Sequence, residues 1–271
     1  MQTKTESFFA QKNKEMTKYF KFKELHNQTK PLIIGNVWNV QSAKVCEKLN
    51  FQAIGTSSAA ISHSLGYEDG EQIPFSDLLF IVEKISKSAT LPLSVDIEFG
   101  YGNTATVIAN NIISLEKLGV VGINIEDSFF ENGERKLKDS LQFSQLLQEV
   151  KYILIQKGIS IFINVRCDAF LLNVPNALQI ATERIKKYEQ SGADGIFLPC
   201  ITKESDISTI VSQTKLPLNV MCMPELPNFE TLEKLEVKRI SMGNFLNGYA
   251  YTSLENMTTK VLTEQSFNAL F

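Results

Sequence analysis

Leu93-Ser-Val-Asp-Ile-Glu-Phe-Gly-Tyr-Gly102 runs from an apolar strand straight into two acids, Asp96 and Glu98, and then into a glycine-rich turn. Side chains two apart on a strand share a face, so the alternation predicts that Asp96 and Glu98 point the same way. Two neighbouring carboxylates repel and resist burial. A divalent cation relieves both costs, and hard oxygen ligands suit Mg²⁺ or Mn²⁺. Glycine at positions 100 and 102 allows a turn with close backbone approach, leading toward a helix capped at Asn103 or Thr104.

Working outward, similar apolar runs recur along the chain. Strands are predicted at about Leu32–Asn36, Ala53–Ser57, Leu93–Ile97, Gly122–Glu126, Ser160–Arg166, Gly195–Pro199, Leu218–Cys222 and Arg239–Met242. Most are near-continuous Val, Ile, Leu and Phe, as in parallel strands covered on both faces. Helical patterns separate them: Ser42–Leu49, Phe75–Ser88, Thr104–Leu118, Leu141–Gln156, Ala177–Ser191 and Lys203–Ser212, with Ser42 as a candidate cap. Gly119, Gly158 and Gly192 stand where helices should stop. Eight strands alternating with helices predict an α/β fold, a (β/α)8 TIM barrel. An open doubly wound sheet would more often carry Gly-x-Gly-x-x-Gly after its first strand, and Asn36-Val-Trp-Asn39 is nothing like it. One domain is expected over 1–271, with an extra N-terminal helix at about Lys12–Asn27 inside a 1–30 extension and a helical tail over 249–271.

The totals agree. The 271 residues are 44% apolar and 21% charged, with a net charge of −3, which suits a globular chain and disfavours a nucleic-acid surface. No run approaches the roughly 18 apolar residues of a membrane span, and the start lacks the apolar segment of a secretory signal, so no membrane partner and a cytoplasmic location are expected. Cys46, Cys167, Cys200 and Cys222 form no Cys-x-x-Cys pair, and the last three read as small buried residues. The two histidines, His26 and His63, exclude a His-rich metal centre, and His63 reads as packing or surface.

A barrel gathers chemistry at the C-terminal ends of its strands. There the chain places Thr56-Ser57-Ser58, Asp96 with Glu98, Gly122-Ile-Asn-Ile-Glu-Asp-Ser128 and Phe162-Ile-Asn-Val-Arg-Cys-Asp168. The two-residue period puts Asn124 with Glu126, and Asn164 with Arg166 and Asp168. Asp127 points away from Glu126, toward a structural partner outside the barrel.

These motifs, with Asn36-Val-Trp-Asn-Val-Gln-Ser-Ala43 and Gly55-Thr-Ser-Ser-Ala-Ala-Ile-Ser-His-Ser-Leu-Gly-Tyr-Glu-Asp-Gly70, resemble the isocitrate lyase/phosphoenolpyruvate mutase superfamily, closest to its short-loop members. The resemblance covers about Lys30–Leu254. It implies a Mg²⁺-dependent lyase or isomerase acting on a small 2-oxo or 2-hydroxy carboxylate through an enolate. Asp96 would be the direct metal ligand, with Asp69, Glu98 and Glu126 holding metal-bound waters. Arg166, Ser57 and Ser58 would be catalytic, and Trp38, Asn124 and Asn164 would join them in binding substrate. It also implies a homo-oligomer, dimer or tetramer, with the last barrel helix exchanged between subunits. Phe245, Leu246, Tyr249, Tyr251 and Leu254 are the apolar positions that permit this.

Departures from the family narrow the chemistry. After strand four, isocitrate-type lyases carry Lys-[Lys/Arg]-Cys-Gly-His, whereas this chain has the short Phe129-Phe-Glu-Asn-Gly-Glu-Arg-Lys136. Mutases place a longer loop there with Lys and Asn, and a His where Pro199 stands. The common Asp after Trp is Asn39. A decarboxylase acting on a dicarboxylate such as oxaloacetate is the first reading. Phosphonomutase-type P–C chemistry, needing cations from Arg135, Lys136 or Lys203, is the second. A barrel that binds a carboxylate without turning it over is the third.

Overall fold

Apolar side chains on both faces of a strand require cover on both sides, and a closed barrel wrapped in helices supplies it. The computed structural model describes residues 18–271. In chain order the elements are β1 (Leu32–Val37), α1 (Val40–Lys48), β2 (Ala53–Thr56), α2 (Ser58–Ser64), α3 (Phe75–Ser88), β3 (Leu93–Asp96), α4 (Ala105–Glu116) and β4 (Val120–Glu126). They continue with β5 (Ser128–Glu131), β6 (Glu134–Leu137), α5 (Ser140–Gln156), β7 (Phe162–Arg166), α6 (Ala177–Gln190), β8 (Gly195–Leu198) and α7 (Glu204–Gln213). The chain closes with β9 (Leu218–Met221), α8 (Phe229–Lys234), β10 (Arg239–Ser241) and α9 (Phe245–Glu264). Eight strands form a closed parallel barrel in the order β1-β10-β9-β8-β7-β4-β3-β2, and β5 and β6 pair as a separate antiparallel hairpin. All eight predicted strands are these barrel strands; their edges shift by one or two residues.

The helix ends follow local chemistry. Asn39, not Ser42, caps α1: its side chain accepts from Ser42 N, while Ser42 Oγ accepts from Asn39 N in a reciprocal capping box. Thr104 caps α4 as expected, accepting from Val107 N. The N-terminal helix is described from residue 18 and gives way to a 3₁₀ turn at Leu25–Asn27; the predicted portion before residue 18 lies outside the described residues. The C-terminal helix begins at Phe245, four residues ahead of the predicted tail.

The main core lies between strands and outer helices, around residues such as Ile54, Val95, Ile108, Ile123 and Val165. A second cluster closes the barrel at the N-terminal ends of its strands, where Phe22 and Leu25 meet Leu32, Ala53, Val121 and Phe162. Burying a large apolar side chain such as Phe22 is worth roughly 1.5–3 kcal/mol. The plug therefore leaves the opposite end of the barrel as the open one.

Candidate active site

At that open end the strand termini line a cavity of about 240 Å³. Pockets for drug-sized ligands run to roughly 300–1,000 Å³, so this one suits a smaller molecule. Ser57, Ser58, Asp69, Asp96, Asn124 and Arg166 line it, all from the predicted set. So do Asn36 and Ser241, which the sequence reading had not placed there, and Arg135, one of the three cations it named for the P–C alternative.

Asp96 is the last residue of β3 and is held on three sides. Its backbone N–H donates to Thr56 Oγ1 at 2.9 Å, Ser58 Oγ donates to its Oδ2 at 3.1 Å, and Glu98 N donates to its Oδ1 at 3.2 Å. Burial raises its pKa, and Asp69 adds to the rise against the pull of Arg166. Ser57 is engaged differently: its hydroxyl caps α2 by accepting from Ala60 N at 3.3 Å.

Glu98 does not share the wall with Asp96. The strand ends at Asp96 and Glu98 has φ +49, so strand alternation no longer governs its direction. Its carboxylate turns to the loop ahead of α3, accepting from Gly70 N at 2.8 Å, Glu71 N at 2.6 Å and the Tyr101 hydroxyl at 3.2 Å. Burial, then Asp69 and Asp96, push its pKa up to about 8. It thereby anchors the loop that carries Asp69 into the cavity.

The hairpin β5–β6 supplies Arg135, which the sequence reading named only as a cation for the P–C alternative. Asn132 and Gly133 form its tip with φ +53 and +81, the left-handed pair that a two-residue hairpin turn demands. Phe130 packs over Gly70, where any side chain would clash with its ring, and lies edge-on to Phe99. Between these rings Arg135 reaches the acids. Its Nη1 pairs with Glu126 Oε1 and sits 3.4 Å from Asp168 Oδ2, while Nη2 meets Asp69 Oδ2 at 3.1 Å.

Arg166, the last residue of β7, grips Asp168 through Nε at 2.6 Å and Nη2 at 3.2 Å, and Glu126 through Nη1 at 2.7 Å. Burial works against its charge, but Glu126, Asp168 and Asp96 outweigh it and raise its pKa. Burial pushes Glu126 upward against the pull of Arg166 and Arg135. Asp127 behaves as its opposite direction predicts: outside the barrel wall it meets Arg184 at 2.9 Å and the Tyr188 hydroxyl at 2.6 Å.

Two predicted substrate contacts are placed elsewhere. Asn164 is buried inside the barrel, donating to Asn124 Oδ1 at 2.9 Å and Asn219 Oδ1 at 3.1 Å, and does not line the cavity. Trp38 packs partly buried against the core beyond the end of β1. His63 is exposed, and neither Lys136 nor Lys203 lines the cavity.

The acids suit a hydrated divalent ion. Among the described residues no three His, Cys, Asp or Glu side chains form a tight ligand cluster. Mg²⁺, however, keeps several waters and needs few direct protein ligands. Asp96 borders the cavity, and Asp69 Oδ1 is a buried carboxylate oxygen with no hydrogen-bond partner among the described residues, an atom that calls for a cation or a water.

The chain is similar to several known proteins in sequence and fold. A family model described as phosphoenolpyruvate phosphomutase matches residues 22–262. An oxaloacetate decarboxylase of Bradyrhizobium sp. is 30% identical over 80% of this chain and 73% of its own length. A 2-methylisocitrate lyase of Shewanella oneidensis is also 30% identical, over 73% of this chain and 68% of its own. Among solved structures, a candidate phosphonomutase from Burkholderia cenocepacia superposes with a TM-score of 0.84 at 31% identity, covering 89% of this chain and 99% of that one. A phosphonopyruvate hydrolase solved with oxalate and Mg²⁺ shares the fold, with a TM-score of 0.81 at 21% identity over 93% of this chain and 89% of its own.

Proposed function

Since the chain belongs to the phosphoenolpyruvate phosphomutase family, we propose that it is a Mg²⁺-dependent lyase that breaks a C–C bond in a small 2-oxo or 2-hydroxy dicarboxylate, with oxaloacetate the first substrate to test. One observation carries this reading: two guanidinium groups, Arg166 and Arg135, and two carboxylates, Asp96 and Asp69, line the same small cavity. A dianion that also chelates a cation needs that combination.

Asp96 would hold the metal directly and Asp69 would reach it through waters, while Glu98 anchors the loop that carries Asp69 and Glu126 pairs with Arg166 and Arg135 behind the cavity wall. Bound there, Mg²⁺ or Mn²⁺ would stabilise the negative charge that grows on the substrate's carbonyl oxygen as the bond breaks. Arg166 has five N–H donors, and those not given to Asp168 and Glu126 remain for a substrate carboxylate. Ser58 fixes the rotamer of Asp96 by donating to it. Asp168 and Glu126 lock the Arg166 fork in one orientation, which lowers the entropy lost on binding. Loss of CO₂ from a 3-oxo acid leaves an enolate, whose protonation water can supply. That suits a cavity that neither His26 nor His63 lines.

Arg135 also favours a second reading. Phosphonomutase-type P–C chemistry requires an extra cation at the mouth, and Arg135 supplies one. Assaying oxaloacetate and phosphonopyruvate side by side with Mg²⁺ separates the two. The decarboxylase reading expects pyruvate and CO₂ above the metal-only background, and a loss of about a hundredfold in Asp96→Ala. Phosphoenolpyruvate formed from phosphonopyruvate without pyruvate from oxaloacetate would establish the second reading. Turnover of neither, with oxalate still bound, would leave a carboxylate-binding barrel. Full activity in Asp96→Ala would overturn the metal assignment.

A further inference from the structure

Beneath the cavity lies a cation that forms no ion pair with any carboxylate among the described residues, Asp96 acting on it only from a distance. Arg239, the first residue of β10, is 1% exposed, and its Nε and Nη1 have no hydrogen-bond partner among the described residues. Among the described residues its one side-chain hydrogen bond runs from Nη2 to Asn124 Oδ1, at 3.4 Å. A buried charge left in this state is costly, and replacing it by an apolar side chain of similar volume is usually neutral or stabilising. Stability alone does not account for the residue.

Arg239 stands at one end of a buried amide chain. At the other end Asn219 Nδ2 donates to the Val220 carbonyl at 2.7 Å. A carbonyl only accepts, so Asn219 Oδ1 is the acceptor for Asn164 Nδ2 at 3.1 Å. The same Asn164 Nδ2 donates to Asn124 Oδ1 at 2.9 Å. A guanidinium only donates, so Arg239 imposes the same direction from its own end. Asn124 Oδ1 is thus committed to two donors. Its Nδ2 donates to no described protein group, and Asn124 lines the cavity. Amide orientation is usually ambiguous, but here both ends of the chain fix it.

We propose that Asn124 Nδ2 donates a hydrogen bond to the oxygen of the bound 2-oxo acid on which charge develops, and that Arg239 is the positioning residue that aims and polarises this amide. The assignment rests on the substrate class proposed above. A donor fixed before the substrate arrives costs no reorganisation, which is what stabilisation of a developing oxyanion requires. The cation behind it strengthens the donor, because chained hydrogen bonds polarise one another.

The test compares Arg239→Met, Arg239→Lys, Asn124→Ala and the Arg239→Met/Asn124→Ala double variant. Two readouts are needed: oxalate affinity by calorimetry in the presence of Mn²⁺, and the ¹⁵N–¹H signal of the Asn124 side-chain amide in metal-free protein. Arg239→Met should keep a cooperative thermal transition and bind oxalate about tenfold more weakly. Arg239→Lys should recover most of that loss, and the double variant should bind no more weakly than Asn124→Ala alone. The Asn124 amide signal should shift and exchange faster in Arg239→Met. Wild-type affinity in a folded Arg239→Met, or strictly additive losses in the double variant, would overturn the proposal. If the wild type binds no oxalate, the substrate class fails, and the amide signal still decides the positioning role: unchanged in Arg239→Met, it overturns that role as well.

Discussion

His26 stacks on Phe162 beneath the barrel floor, 4.3 Å between ring centroids and 14° from parallel, and its Nδ1 bonds the Phe22 carbonyl oxygen at 2.9 Å. Burial, with Arg239 adding repulsion, pushes its pKa down to about 3. An unfolded imidazole titrates near 6.5, so between about 3 and 6.5 the unfolded chain binds more protons than the folded one. The stability His26 contributes is whole above that interval and is lost as pH falls through it. Replacing it with Gln, which does not titrate, should flatten the fall of the urea midpoint between pH 6.5 and 4; an equally steep fall in His26→Gln would refute this. At individual positions the sequence was legible where a strand was still a strand. Asp96, Asn124 and Arg166 line the cavity because each is on the inward face of β3, β4 or β7. Glu98 escaped the same rule because the backbone turns left-handed two residues beyond the strand end. Asn164 obeyed it but lies one layer too deep to line the cavity.

The hairpin β5–β6 was the element least visible in the sequence. Its strands are four residues each and carry Phe, Glu, Arg and Lys without a clean alternation, so they read as loop. The signal that could have found it is Asn132-Gly133, the dipeptide most suited to a two-residue hairpin turn. The pairing Phe130↔Arg135 across that turn then follows, and it brings Arg135 to the acids. Removing one partner of a buried ion pair costs about 3 kcal/mol or more. Arg135→Met should therefore lower stability by about that much in urea unfolding, with Arg135→Lys recovering only part of it because an ammonium lacks the planar fork. An unchanged midpoint in Arg135→Met would mean that Arg166 alone satisfies Glu126 and Asp168. The barrel strands, by contrast, were legible end to end, because parallel strands covered on both faces leave long apolar runs that few other elements produce.

Taken as one body, the chain leaves a large apolar surface at its C-terminal end. Tyr249 is 74% exposed, Leu254 60% and Leu262 72%, along a helix that closes no barrel groove. Beside it the outward faces of Ile33 and Ile240 border an apolar groove with Leu226, Phe229 and Met242. Contiguous apolar surface of this kind marks an interaction site. The homo-oligomer expected from the sequence predicts that the wild type sediments as a dimer or tetramer and that Tyr249→Lys/Leu254→Lys sediments at the 30.5 kDa of one chain. A monomeric wild type would refute that expectation. Among the described residues no helix is long and apolar enough to cross a membrane. The proposed chemistry turns on a divalent cation at Asp96 receiving a chelating dianion. Titrating oxalate into the purified protein by calorimetry, with and without Mn²⁺, measures this directly. Binding that needs Mn²⁺ and disappears in Asp96→Ala is the predicted result; no heat with Mn²⁺ present, or equal binding without it, would contradict the account.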